Sequence, residues 1–456
     1  MRVIVLEALQ KVSRKISLNS FWHQELSRIP LIERPLANEL LLGVLRTRGC
    51  LDRVISQLTG NRKCSLWLAN ILRLGLYQLH FNNKITDYAA IDQSVRLARH
   101  YQPKAAPLVN AVLRRFVREA DSPAGGWGDL PVIPDRKEDF VDFLAVNYSH
   151  PRWLVKRWLK RFGSFQTERL CRANQEEQEV TIRLNRLQLK QPEENKALLE
   201  RLSERGYEPV DLKTPMEAIK LKHGAGLAAT DMYLKGWFEI QAIPSMLSCL
   251  ALAPRPGERV LDLCAGRGGK TWYLAQLMQN QGELYPWDIS WLKLDQLRCN
   301  YQRAGVTNLR LVDSQVEFPQ RFDRVLVDAP CSSLGILGKE PDIRWTKKPE
   351  DITRSSETQL ELLGEAVERL RPGGTCLYSV CSFEPEENED VINHILKTRP
   401  DIKRENLKSR LPKGYQNLVD DDGFFRSLPH KSGLDGFFMA LLTRTGGKNE
   451  KRNNSY

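Results

Sequence analysis

The sequence predicts a multidomain protein: an all-α bundle first, a small α+β domain next, and an α/β domain with a mostly parallel sheet last. Three observations carry that expectation. A chain of 456 residues is too long for one ordinary domain. Apolar residues recur at helical spacing across residues 1–120. From about residue 240, β-favouring runs alternate with helical ones, the mark of a parallel sheet covered on both faces.

The bundle comes first. Leu51, Val54, Ile55 and Leu58 fall on one helix face, as do Leu68, Ile71, Leu72 and Gly75, with Leu79 a turn beyond. Val109, Val112, Leu113, Phe116 and Val117 make another apolar stripe, with Arg114, Arg115 and Arg118 on the opposite side. Asn19 or Ser20 is expected to cap one helix and Asp87 another. Residues 1–120 hold 19 Lys+Arg against 8 Asp+Glu, a net of +11, and the remaining 336 residues hold 49 against 48, a net of +1. A basic segment joined to a nearly neutral one suggests a polyanion-docking module on a catalytic body. A well-solvated helical surface would show the same charge.

Residues 121–139, rich in Pro and Gly, read as a linker. Residues 140–235 read as the small α+β domain, with a helix around Trp153–Leu159, a strand at Val180–Leu184, a helix at Glu193–Glu204 and a strand at Ala218–Lys222. Trp153, Arg157 and Trp158 are read as core in preference to nucleic-acid contacts. In the last domain, residues 236–446, strands are expected at Arg259–Cys264, Glu283–Asp288, Leu309–Asp313, Arg324–Asp328 and Thr375–Cys381. Two late runs, near Gly423–Leu428 and Gly436–Thr443, would form an antiparallel pair on one edge. Residues 447–456 are a polar tail, expected to fray.

Several classes fall away on composition. No run approaches the ~18 apolar residues of a membrane span. The chain enters a helical pattern at its first residues, without the regions of a signal peptide, so a soluble, cytoplasmic protein is expected. Nine cysteines without paired spacing suit reduced thiols rather than a disulfide framework or zinc site, and the seven histidines have no metal-ligand spacing.

The stretch from Val260 to Thr271 is a strand, a glycine-rich turn and a helix start. Glycines let the backbone approach a ligand, and the helix start offers free N–H groups to an anionic end. The turn is not a phosphate-binding Walker loop, since Cys264 stands where that loop needs its first glycine. It is not the dinucleotide fingerprint either, because Thr271 occupies its third glycine position. Asp288 ends the next strand, where a carboxylate can hold both hydroxyls of a ribose, and Asp313 ends the one after, placed to reach an adenine amino group. Together these fit S-adenosylmethionine better than NAD or ATP.

Two cysteines close apolar strand-like runs, Cys331 after Asp328-Ala329-Pro330 and Cys381 after Ser379-Val380. If the strands are neighbours, two thiols face one pocket at the carboxyl ends of the sheet. That suits methylation of a pyrimidine. Carbon 5 of cytosine is a poor nucleophile until a thiolate adds at carbon 6, and cysteine is both a good nucleophile and a good leaving group. Asp328 could hydrogen-bond the base edge, and the base would have to be unpaired or flipped out.

The resemblances agree with this chemistry. Leu36–Leu40, Gly43–Arg46 and Val109–Arg115 resemble the NusB family of RNA-binding bundles. Asp262–Thr271, Asp328–Ser333, Pro341–Trp345, Arg371–Gly374 and Ser379–Glu389 resemble the RNA cytosine-5 methyltransferases, and with the NusB-like bundle in front the chain is similar to the RsmB (Sun/Fmu) family. The resemblance implies a Rossmann-like class I methyltransferase domain and S-adenosylmethionine as cofactor. It implies methylation of carbon 5 of a cytosine in 16S rRNA, with no membrane or DNA as partner. Cys381 would be the attacking nucleophile and Cys331 would assist product release. Cys264, Ala265, Gly266, Arg267, Gly268, Gly269 and Lys270, with Asp288, Asp313 and Asp328, would form the cofactor site. Cys50, Cys64, Cys171, Cys249, Cys299 and Cys376 are left as small buried hydrophobes. Three positions depart from the family pattern: Arg267 for a usual proline, Val380 for a threonine, and Ala242 for a common acid. Rival readings are the same chemistry on transfer RNA or another ribosomal site, and a non-catalytic RNA-binding assembly factor.

Overall fold

The computed structural model describes residues 1–82, 85–120, 133–176, 179–224 and 226–446. Most of the expected linker, residues 121–132, and the whole expected tail, residues 447–456, lie outside the described residues. The chain divides into two compact units: Met1–Glu177 with Leu337–Pro349, and Gln178–Ile336 with Glu350–Tyr456. No described helix is long and apolar enough to cross a membrane.

The first unit is helical. The apolar stripes become the buried faces of helices Arg34–Leu58, Leu66–Phe81 and Ala106–Ala120, around a core that includes Leu51, Val54, Ile71, Leu72, Leu113 and Phe116. The helix at Asp87–Tyr101 is capped by Thr86, whose hydroxyl accepts the Ala89 N–H at 3.4 Å, so Asp87 is its first residue and not its cap. Asn19 and Ser20 sit in the short 3-10 turn Leu18–Ser20, and Phe21 precedes helix Trp22–Ser27 without a side-chain cap. The Asp87 expectation is off by one residue, the scale on which adjacent Thr and Asp compete for the same backbone donors, and Ser20 caps no helix because its hydroxyl donates to the Ser17 carbonyl.

Helix Phe140–Asn147 and the helical stretch Arg152–Ala173, broken at Gly163 (φ +73°), belong to this unit, with Trp158 fully buried and Trp153 half-buried. So does Leu337–Pro349. Within it Arg344 is buried and donates to the carbonyls of Ser149 at 3.2 Å and Asn174 at 2.5 Å. Trp345 Nε1 donates to the Leu45 carbonyl at 2.7 Å, and Asp342 accepts the Leu18 N–H at 3.0 Å. Burial lowers Arg344 from its ordinary value to about 9, and carbonyl oxygens take the place of an ion-pair partner.

The second unit holds two sheets. The smaller has strands β1 (Val180–Leu184), β2 (Val210–Asp211), β3 (Ala218–Leu221) and β4 (Phe238–Ile240), in antiparallel order β2-β3-β1-β4, with helix Pro192–Glu204 preceding β2. The larger has β5 (Arg259–Asp262), β6 (Glu283–Pro286), β7 (Phe322–Asp328), β8 (Leu370–Val380), β9 (Ile402–Glu405), β10 (Phe425–Ser427) and β11 (Phe437–Arg444). Its order is β10-β11-β8-β7-β5-β6, with β9 also on β11. The pairs β6-β5, β5-β7 and β7-β8 are parallel, while β11 runs antiparallel to β8, β9 and β10. Successive residues face opposite layers, so on β8 Leu377 enters one core and Cys376 and Tyr378 the other.

One expected strand is absent. Leu309–Asp313 makes a single parallel bridge, Leu309 to Leu284, and stops. The Leu284 N–H donates to the Asn308 carbonyl and the Arg310 N–H to the Leu284 carbonyl. The next rung would need an N–H from residue 286, which is proline and has none. The ladder ends there for want of a donor.

Candidate functional site

The site stands on the carboxyl ends of β5, β7 and β8. After β5 the chain turns through Leu263–Gly268 into helix Gly269–Leu277. Gly268 has φ +95°, and a Cβ there would lie 2.3 Å from the Trp272 ring, so only glycine allows this turn to close over the helix start. The turn is tied to the end of β6: the Ala265 N–H donates to the Trp287 carbonyl at 2.7 Å, and the Gly266 N–H to Asp288 Oδ2 at 3.1 Å. Asp288 Oδ1 accepts the Ser290 N–H at 2.8 Å, and Lys293 Nζ lies 3.4 Å from Oδ2. Arg267 is exposed on the turn. Asp313 stands in no strand, is 87% exposed, and its carboxylate pairs with Arg298 at 2.6 Å. The structure thus joins Asp288 to the glycine turn and leaves Asp313 on the surface.

Asp262, at the end of β5 where the turn begins, is a candidate that the sequence did not single out. It is fully buried, accepts the Thr271 hydroxyl at 2.7 Å on Oδ2, and has no partner for Oδ1 among the described residues. Burial pushes its carboxyl up to about 7. Nearby, Lys270 Nζ meets Asp328 Oδ2 at 2.5 Å, and Asp328 Oδ1 accepts the Ser379 hydroxyl at 2.8 Å. Burial alone would lower the Lys270 ammonium, but the Asp328 carboxylate outweighs it and leaves the value raised.

The two cysteines meet. β7 and β8 are adjacent and parallel, with Asp328 opposite Ser379, so the chain leaves both strands at the same end. Cys331 Sγ and Cys381 Sγ are 3.3 Å apart, and the Ser333 hydroxyl lies 3.5 Å from Cys381 Sγ. Cys331 is buried and Cys381 half-buried. The Cys331 thiol is held well above its ordinary value, first by its hydrogen bond with Cys381 and then by burial. Cys264 is also raised, by burial and then by Asp262, and stays a neutral thiol beside the turn. Val380 is buried, and Ala242 begins helix Ile243–Leu252.

Glycines close the loop that follows Cys331. The Gly335 N–H donates to the Cys381 carbonyl at 3.0 Å, and the Gly436 N–H to the Gly335 carbonyl at 2.8 Å. A Cβ on Gly335 would lie 1.9 Å from the Gly436 carbonyl oxygen. Of the cysteines expected as buried hydrophobes, Cys50, Cys171, Cys249 and Cys376 are buried, Cys64 is half-buried, and Cys299 is exposed. Helix Trp291–Asn300 buries only Leu294 and Leu297, too narrow a stripe to take Cys299 in.

Comparison with known proteins finds three family matches. Residues 249–443 match the model of the 16S rRNA methyltransferase RsmB/F family, residues 1–118 the NusB family, and residues 150–227 the ferredoxin-like domain of RsmF/B-like methyltransferases. The probable ribosomal RNA small subunit methyltransferase B of Bacillus subtilis is 34% identical over 98% of this chain and 99% of its own. The chain belongs to the ribosomal RNA small subunit methyltransferase B family. The Klebsiella pneumoniae member is 30% identical over 93% of this chain and 96% of its own. Among solved structures, PH0851 superposes with a TM-score of 0.79 at 25% identity, over 96% of this chain and 97% of that one. A methyltransferase homologue from Pyrococcus horikoshii gives 0.55 at 30% identity, over 66% and 97%.

The cofactor of this family is S-adenosylmethionine. The turn fits such a group. It offers a helix start without a side-chain cap, a buried carboxyl oxygen at Asp262 with no partner among the described residues, and an acid at the end of the neighbouring strand at Asp288.

Proposed function

We propose that this protein methylates carbon 5 of a specific cytosine in 16S rRNA through a covalent bond between Cys381 and carbon 6 of the base. The observation that carries the reading is the 3.3 Å separation of Cys331 and Cys381 at the ends of adjacent parallel strands. One base can meet both sulfurs only in such an arrangement.

In this reading Cys264–Lys270 and Asp288 hold the cofactor, with Asp313 able to join only by leaving its pairing with Arg298. When bound, S-adenosylmethionine supplies an electrophilic methyl group. The chain's own residues do the rest. The Cys381 thiolate adds to carbon 6 and makes carbon 5 nucleophilic. Asp328, held by Lys270 and Ser379, presents a carboxylate edge to the base. Once carbon 5 is methylated its proton must leave before the Cys381–carbon 6 bond can break. Cys331, against Cys381, is placed to take that proton as a thiolate once it has given up its own, and Cys381 then leaves carbon 6 as a thiolate. Residues 1–120 act as the RNA-docking bundle, 140–235 as the small recognition domain and 236–446 as the catalytic domain. The reading carries a cytoplasmic location with it.

The test is the adduct. Cys331→Ser, incubated with substrate RNA and S-adenosylmethionine, should accumulate a protein–RNA complex that survives denaturing electrophoresis. The same variant carrying Cys381→Ala should not. Full turnover by Cys331→Ser with no adduct would refute the division of labour.

A further inference from the structure

Glu387 lies in the 3-10 turn Pro385–Glu387 and is fully buried. Its Oε2 accepts the hydroxyls of Ser332 and Ser382, each at 2.5 Å. Its Oε1 accepts the Ser332 N–H at 2.6 Å and the Gln359 amide at 3.4 Å. Ser332 follows Cys331 directly, and Ser382 follows Cys381. One carboxylate therefore spans the two turns that carry the sulfurs, and the two hydroxyls are themselves 3.3 Å apart. The clip is anchored from behind. Tyr378 of β8 donates its hydroxyl to the Glu387 carbonyl at 2.6 Å, and Gln359 donates to the Pro330 carbonyl at 2.9 Å.

A buried carboxylate is costly to keep, and all four of these contacts are hydrogen bonds from neutral donors. Burial pushes the Glu387 carboxyl up while the serine hydrogen bonds pull it back. An apolar residue would fill the space but leave the Ser332 N–H and both hydroxyls without their acceptor. The arrangement has a geometric consequence instead: the residues following the two cysteines cannot separate without breaking bonds to a common atom.

We infer that Glu387 is a positioning residue, a clip that fixes the distance between Cys331 and Cys381 so that both sulfurs can serve one base. The inference rests on the two-cysteine reading above, but the geometry can be measured without RNA. Diamide takes two electrons and two protons from a pair of thiols and leaves a disulfide and the reduced hydrazine. The rate of Cys331–Cys381 closure, followed by peptide mass, reports how often the sulfurs meet. Glu387→Gln keeps the shape but turns an amide donor toward donors. It should slow closure on the order of tenfold and lower kcat on the order of 10- to 100-fold, with KM for RNA and for S-adenosylmethionine unchanged. Glu387→Asp, which keeps the acceptor on a shorter stem, should recover part of both. Ser382→Ala removes one tie and should give an intermediate slowing even if Glu387→Gln folds poorly. Closure at the wild-type rate in soluble Glu387→Gln and in Ser382→Ala overturns the clip, whatever happens to kcat. Slowed closure together with a Cys331→Ser protein that never forms an adduct overturns the two-cysteine reading instead.

Discussion

Two thiols 3.3 Å apart are equivalent only if their surroundings match, and these do not. Cys331 is buried and keeps its proton well above the ordinary thiol value, whereas Cys381 is half-buried at the end of β8. A sulfur that holds its proton attacks poorly and hydrogen-bonds well. Cys381→Ala should therefore drop methyl transfer to background while RNA and cofactor binding stay nearly unchanged, as measured by labelled-methyl incorporation beside filter binding. Substantial turnover in that variant would hand the attack to Cys331. Asp262 gives a second test at this scale. Its folded value of about 7 lies well above the ~3.9 of a free aspartate. Between those values the folded protein holds a proton that the unfolded chain has released. The contribution to stability is full below about pH 4 and is lost as pH rises toward 7, with a slope of up to ~1.4 kcal/mol per pH unit. Asp262→Asn should flatten that part of the profile in denaturant melts of the cofactor-free protein, and a slope equal to the wild type would show that Asp262 ionises freely.

At the scale of elements, the close approach of Gly335 and Gly436 makes the loop after Cys331 intolerant of side chains. Gly335→Ala must move the Gly436 carbonyl and, through it, the start of β11. Overpacking of this kind costs about 1–3 kcal/mol. A lowered melting midpoint with a larger relative loss of activity is expected, and a variant as stable as the wild type would mean the loop can shift freely. Much of this architecture was legible in the sequence. Apolar runs ending in Asp262, Asp328 and Val380-Cys381 marked β5, β7 and β8, because a strand buried on both faces needs an unbroken β-favouring run. Leu309–Asp313 carried a similar run and failed, since strand formation also depends on the donor that Pro286 lacks. Glu387 lay within the Ser379–Glu389 resemblance without a role, for a related reason: its partners Ser332 and Gln359 are 55 and 28 residues away. The local signal for its partners was a serine after each cysteine. Asp288 meets the glycine turn because that turn belongs to the adjoining strand end, while Asp313 was expected on a strand that does not form.

For the whole molecule the distribution of charge makes the largest claim. If residues 1–120 dock RNA as proposed, their net +11 should show as salt dependence, because phosphate contacts release counterions. Deleting the bundle is a poor test. Lys15, Leu18 and Leu45 hold Asp342 and Trp345 in the first unit, so deletion would strip partners from Leu337–Pro349 as well as remove charge. Point changes are cleaner. A groove of about 770 Å³ between helices Asp87–Tyr101 and Ala106–Ala120 is lined by Tyr88, Arg99, Asn110, Arg114 and Arg118, among others. The three arginines are exposed, and so is the Tyr88 ring, a surface on which an unpaired base could stack. Changing Arg99, Arg114 and Arg118 to Gln should weaken RNA binding at low salt. It should also reduce the slope of log affinity against log salt by up to about 0.7–0.9 for each phosphate that is no longer neutralised. The kcat at saturating RNA should not change, since none of the three belongs to the unit that carries the cysteines. A slope identical to the wild type would make this face of the bundle a solvated surface, and the polyanion contact would have to be sought among the remaining basic residues.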